Sequence, residues 1–290
     1  MYSANFDYHR ARSLADVHRL LAANPGAKLL AGGHSLIPLM KLRLAAPPAV
    51  VDIGRIPELR GVSRSGDAIR IGALTTHAEV AASGDVQKAL PALAEAAGLI
   101  GDPAVRARGT VGGNIAHADP ASDLPTVLVA LDARIVIVGP TGERTIPADG
   151  FFTGIMTTTL ADNEVVTAVV VPVGSRGQGS AYVKFSHPAS RYAVIGVAAS
   201  VTVAANQCSA ARVAIGGLVP CARRATRVET ALVGKALDTA AITAAAGQVR
   251  SDLGGDVTGD IFASASYRAA VAPVYVKRAI AAAAARAGLA

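Results

Sequence analysis

Two short stretches of the chain carry the residue types that can hold a phosphate. Ala31-Gly32-Gly33-His34-Ser35 lies between a strand-like run and a helix start, and Thr110-Val111-Gly112-Gly113-Asn114 follows a segment bearing Arg106 and Arg108. Paired glycines let backbone N–H groups approach a ligand closely, and a helix N-terminus adds partial positive charge, so both stretches suit a diphosphate. The hydroxyls of Ser35 and Thr110 could add donors. Taken singly, either glycine pair is more simply a tight turn.

Other chemistries drop out on spacing. Gly234-Lys235 lacks the upstream glycine and the following Ser or Thr of a P-loop. Gly33-His34-Ser35-Leu36-Ile37 starts like a nucleophile elbow but has no closing glycine. Pro220-Cys221-Ala222-Arg223-Arg224 lacks the second cysteine of a zinc deaminase site, and the six histidines show no H-E-x-x-H spacing. With two cysteines, Cys208 and Cys221, the chain has no disulfide framework and cannot hold a cysteine-only iron–sulfur cluster.

The elements that must position the two loops follow from pattern. Ser13 can cap a helix with Leu14, Val17, Leu20 and Leu21 on one face, stopped by Pro25-Gly26. Residues 28–31 read as a short buried strand, Ser35 as the cap of a second helix, and residues 49–53 as another strand, so parallel strands alternating with helices are expected. Further on, residues 68–74 read as a strand and Thr76-His77-Ala78-Glu79 has capping-box spacing. Residues 86–99 look helical with a break or kink at Pro91, and residues 101–125 look irregular. Residues 134–138 and 164–171 read as strands, 174–179 (GSRGQG) as a linker, and 182–185, 194–203 and 213–218 as strands. The Ala-rich last part of the chain is helical by propensity.

At 290 residues, the chain is long enough for two ordinary domains, and 51% hydrophobic with 17% charged residues is a globular composition. The apolar run at residues 192–205 is interrupted and too short to span a bilayer, so no membrane span is expected. The N-terminal residues lack the apolar core of a secretory signal, which points to a cytoplasmic protein. A net charge of +7 favours acidic ligands, but scattered Lys and Arg, 4% aromatics and no Trp argue against nucleic acid.

The segments KLLAGGHSLIPLMKLRLAAPPAVVDI and GDPAVRARGTVGGNIAHADPASDLP together resemble the FAD-binding medium subunit of molybdenum hydroxylases, the module found as a separate chain in carbon monoxide dehydrogenase and as a central domain in xanthine dehydrogenase. The resemblance covers nearly the whole chain. It implies an α+β fold, with a two-part FAD-binding domain of the xanthine dehydrogenase/vanillyl-alcohol-oxidase-like type over residues 1–174. Its subdomains would be about 1–56 and 57–174, followed by a C-terminal domain over 179–290 with a three-stranded antiparallel sheet and helices.

Residue by residue, the resemblance makes Lys28, Leu29, Leu30, Ala31, Gly32, Gly33, His34 and Ser35 the first FAD-holding stretch, and Thr110, Val111, Gly112, Gly113 and Asn114 the second. It places Asp123 near the diphosphate and ribityl region, although the residue also reads as a helix N-cap. Ile100 and Leu160 would flank the isoalloxazine, where pattern alone makes them core. Lys184 would sit by the flavin ring and Tyr192 would stack on it. Without the resemblance these are a solvated strand residue and a half-buried packing residue. Ala104 and Ala107 stand where many relatives have Gln and Asn.

The resemblance further implies a large molybdopterin-molybdenum chain and a small chain with two [2Fe–2S] clusters as partners, in a dimer of heterotrimers. FAD on this chain would pass electrons to an external acceptor, with no catalytic acid, base or metal site of its own. A stand-alone flavin oxidoreductase and a non-flavin scaffold subunit are the alternatives.

Overall fold

The computed structural model describes residues 2–288; Met1, Leu289 and Ala290, at the ends of the two expected domains, lie outside the described residues. The first part is built from β1 (Asp7–Arg10), α1 (Leu14–Ala23), β2 (Lys28–Leu30), α2 (Leu36–Lys41) and β3 (Ala49–Asp52). The strands form the expected parallel sheet in the order β1-β3-β2, with Asp7 opposite Ala49 and Lys28 opposite Val50. The β-branched run Val50-Val51 occupies the buried centre. Ser13 caps α1 by accepting from the Asp16 N–H at 3.2 Å, and Val17 and Leu20 face inward. Ser35 does not act as the expected cap: its backbone is already helical and its side chain makes no capping bond.

The second part runs through β4 (Val62–Ser65), β5 (Ala68–Gly72), α3 (His77–Ala82), α4 (Gly84–Ala89), α5 (Pro91–Leu99), α6 (Pro103–Arg108), α7 (Val111–His117) and α8 (Asp123–Ala130). It continues with β6 (Arg134–Gly139), β7 (Gly142–Pro147), the small hairpin β8 (Phe152–Gly154) and β9 (Thr157–Thr158), and β10 (Val165–Pro172). The five-stranded sheet is antiparallel in the order β4-β5-β10-β6-β7. Its buried face, including Ile69, Ile71, Ile135 and Val169, packs with Leu93, Ile115, Val127 and Leu128 from the helices. The capping box at Thr76–Glu79 forms as read, and Pro91 opens a new helix after a break at Leu90.

Residues 101–125 are not irregular. They hold α6, α7 and the start of α8, because Asp102 caps the Val105 N–H at 2.8 Å, Pro103 takes the first-turn position, and Thr110 caps the Gly113 N–H at 3.3 Å. The prolines and glycines there stand at helix ends, where they do not break a helix.

The third part contains β11 (Gln178–Ser186), β12 (Ala193–Ala204), β13 (Gln207–Gly216), β14 (Arg223–Arg224), α9 (Thr226–Leu232), α10 (Thr239–Gly247), α11 (Val249–Leu253) and α12 (Ala265–Arg286). The three expected long strands pair antiparallel in chain order, and the two-residue β14 adds a fourth at the edge. One face packs on α12, through Val276, Ala279, Ile280 and Ala283, while Tyr182, Ala198 and Ala214 join the core that contains α5 and α8. The third sheet is therefore covered on both sides, by helices from before and after it in the chain. Among the described residues, no helix is long and apolar enough to cross a membrane.

Candidate functional site

The three parts enclose a cleft of about 690 Å³, within the roughly 300–1,000 Å³ usual for small-molecule and cofactor sites. Its middle is set by backbone contact. A Cβ on Gly32 would lie 2.2 Å from the carbonyl oxygen of Arg108, and one on Gly112 would lie 2.5 Å from the Ala73 Cβ. Only glycine allows the β2–α2 turn to abut the end of α6, and the first turn of α7 to abut the end of β5. The glycine pairs thus bring two chain segments together at the cleft floor.

Donor capacity differs between the two stretches. Among the described residues, the N–H groups of Gly33, His34 and Ser35 meet no protein acceptor. The N–H groups at the start of α7 are already engaged: Val111 donates to the Thr75 carbonyl at 3.0 Å, Gly112 to the Ala73 carbonyl at 2.8 Å and Gly113 to the Thr110 hydroxyl. The second stretch therefore does not present backbone N–H groups to a ligand, as its glycines suggested. It offers the side chains of Thr110 and Asn114, the latter oriented by the Ser122 hydroxyl, which donates to Asn114 Oδ1 at 2.7 Å.

Of the residues singled out from sequence, Lys28, Leu29, Leu30, Ala31, Gly32, Gly33, His34, Ser35, Ile100, Thr110, Gly112, Gly113, Asn114, Asp123, Leu160 and Tyr192 line this cleft. Val111 and Lys184 do not. Val111 turns into the core, and Lys184 stands behind the wall with its side chain 1% exposed. Its Nζ donates to Asp123 Oδ2 at 2.9 Å and to the Leu99 carbonyl at 3.2 Å. The strand side chain expected beside a flavin ring is the buried counter-ion of a cleft residue.

Asp123 is correspondingly not a helix cap; Ser122 holds the N-cap position and Asp123 begins α8. Its other oxygen accepts from the Tyr182 hydroxyl at 2.5 Å. Burial pushes the Asp123 carboxyl up from the usual range, and the Lys184 ammonium and Tyr182 hydroxyl pull it back. Burial, with Asp123 alongside, raises the Tyr182 phenol as well. These three side chains join the cleft wall to the third sheet.

The lining also includes the apolar side chains of Ile100, Leu160 and Met156 and the half-exposed ring of Tyr192. Burial, then Asp119 and Asp123, raise the Tyr192 phenol. His77 also lines the cleft and was missed as a site residue, because its place in the capping-box turn gave it a structural reason to be there. It is 3% exposed, its Nδ1 has no partner among the described residues, and burial with His34 nearby lowers its pKa to about 4. Met156 was missed because nothing in the sequence marks the β8–β9 hairpin that carries it. Free N–H groups, the neutral polar side chains of Thr110 and Asn114 and apolar lining suit a dinucleotide with one flat ring system.

Fold and cleft together define a cofactor-binding protein of the α+β class. The family model described as the FAD binding domain in molybdopterin dehydrogenase matches residues 4–174, and that of the CO dehydrogenase flavoprotein C-terminal domain matches residues 180–283. The chain belongs to the FAD-binding medium-chain family of molybdenum hydroxylases. It is 43% identical over 289 residues to the carbon monoxide dehydrogenase medium chain of Hydrogenophaga pseudoflava, covering 99% of each chain. It is 37% identical to the nicotine 6-hydroxylase medium subunit of Paenarthrobacter nicotinovorans, covering 96% of this chain and 97% of that one. A solved structure of the carbon monoxide dehydrogenase from H. pseudoflava superposes with a TM-score of 0.95 at 44% identity, covering 99% of both chains.

Proposed function

We propose that this chain holds FAD in the cleft and serves as the electron-transfer subunit of a molybdenum-containing hydroxylase or dehydrogenase. Bound FAD supplies the exchange between single-electron and paired-electron transfer. The observation that carries the reading is the glycine-built cleft floor, with the unengaged N–H groups of Gly33, His34 and Ser35 beside it. In this reading these groups, with Thr110 and Asn114, hold the diphosphate. Asp123, fixed by Lys184 and Tyr182, orients the ribityl side, and Ile100, Leu160 and Tyr192 exclude water from the ring. Lys184 acts through Asp123.

Two cysteines cannot supply one four-thiolate cluster, so the iron–sulfur relay and the molybdenum centre belong to partner chains. The assembly is a large molybdopterin chain, a small chain with two [2Fe–2S] clusters and this medium chain, paired as a dimer of heterotrimers in the cytoplasm, with an external electron acceptor. Residues 1–174, divided near residue 56, form the FAD-binding domain, and 179–290 the second domain. Relatives named for carbon monoxide and for nicotine match this chain over nearly its whole length, which supports a substrate pocket on another chain.

The test is to purify the chain from its native source with whatever assembles on it, record the visible spectrum and measure FAD, molybdenum and iron. Stoichiometric FAD with both metals is the expected result. FAD without metals favours a stand-alone flavin enzyme, and an assembly free of flavin favours a scaffold.

A further inference from the structure

Tyr192 reaches the cleft from the loop 187–192, which closes the β11–β12 hairpin where the register slips between Phe185 and Ser186. Arg191 takes a left-handed backbone (φ 60), so the loop does not follow regular strand geometry. It is gathered around one residue. The His187 N–H donates to the Tyr192 carbonyl at 2.8 Å, and the Arg191 N–H donates to the His187 carbonyl at 2.8 Å. The N–H groups of Ala189 and Ser190 both converge on His187 Nδ1, each at 3.3 Å. The outer edge of the imidazole packs on Phe262, ring centroids 4.6 Å apart. Phe262 is itself held, since its N–H donates to Asp260 Oδ1 at 2.9 Å and Asp260 pairs with the buried Arg268. At the far end of the loop, the Ala193 N–H donates to the Ala121 carbonyl at 3.0 Å, fastening the hairpin to the segment before Asp123.

We infer that His187 is the positioning residue for Tyr192: its imidazole accepts the loop's N–H groups and thereby keeps Tyr192 on the cleft wall. That the ring of Tyr192 covers a flavin rests on the proposed function; that His187 sets the place of Tyr192 does not. In accepting, Nδ1 presents its lone pair to the two loop amides. Beyond these backbone bonds and the Ala193 anchor the loop has little side-chain support, since Ser190 and Arg191 are exposed and the Ser190 hydroxyl accepts only a long bond, 3.4 Å, from the Tyr192 N–H.

Acceptor and packing roles are separable by substitution. His187→Asn retains an oxygen that accepts from N–H groups two and three residues on, as in an Asx turn. His187→Phe retains the edge contact with Phe262 and removes the acceptor. In the assembled protein, amide exchange at Ala189 and Ser190 and the rate of trypsin cleavage after Arg191 report the loop directly. His187→Phe is expected to raise both by about tenfold, the size expected for losing two weak hydrogen bonds, and His187→Asn to leave both near wild type. The reverse ranking shows a packing role only and overturns the inference, as does wild-type behaviour of both variants, which leaves the backbone bonds sufficient. The emission of bound FAD supplies a second readout, with Tyr192→Leu as reference. A loosened loop in His187→Phe with FAD emission unmoved in both variants upholds the role of His187 and overturns the placement of Tyr192 over the flavin.

Discussion

His77 is a histidine kept neutral by its surroundings, since burial lowers its pKa from 6.5 to about 4. Between those values the unfolded chain takes up a proton that the folded chain refuses, so stability falls as pH drops from 6.5 toward 4 and is fully present above 6.5. The loss from this one group approaches ~3 kcal/mol. Urea midpoints between pH 7 and pH 4.5 should fall less steeply for His77→Leu than for wild type; parallel profiles would refute the assignment. The Asp123–Lys184 pair makes a second prediction. Lys184→Met strands a buried carboxylate and should cost ~3–5 kcal/mol, of which Asp123→Asn in the same chain recovers a substantial part. Chemical denaturation of the single and double variants measures this coupling. Sequence placed Asp123 in the cleft wall but not its partners, because a lysine 61 positions on gives no local sign that it will be buried.

The caps and breaks were the most legible elements, since each depends on residues within one turn. Ser13, the Thr76–Glu79 box and Pro91 act as their positions imply, whereas Ser35 and Asp123 do not cap. Thr76→Ala should therefore cost ~1 kcal/mol of stability, with the helix lost first at its N-terminus by hydrogen exchange. Very short elements were illegible. β1 reads Asp-Tyr-His-Arg with hardly any burial, so it carries no alternation, and α6 and α7 are too short to show a helical period. The glycine pair at α7 was noticed for the right neighbourhood and the wrong reason. Gly112 is required by its approach to Ala73, and Gly112→Ala should destabilise by ~1–3 kcal/mol and lower the FAD recovered with the assembly. A fully stable, flavin-replete variant would show that the two segments can separate at no cost.

At the scale of the whole molecule, the architecture was legible because the loops at residues 31–35 and 110–114 carried a family resemblance that covers nearly the full chain, whereas the packing between its parts was not. No local pattern shows that α5 and α8, which precede the residue 173–177 connection, lie on the sheet that follows it. Tyr182 donates its N–H to Glu95 Oε2 at 2.9 Å, and Arg286 pairs with the same carboxylate, so α5, β11 and α12 meet at one side chain. Glu95→Gln weakens a charged contact at that junction, and the salt dependence of the denaturation midpoint should diminish with it.

The shared sheet also bears on where the chain can be cut. A break in the exposed connection at residues 174–176 severs no buried backbone, yet it leaves one fragment with the bare outer faces of α5 and α8 and the other with an uncovered sheet. Each half alone should aggregate. Produced together, they should recognise one another and reconstitute the cleft, turning this subunit into a two-piece protein whose cofactor content reports the reunion of its halves.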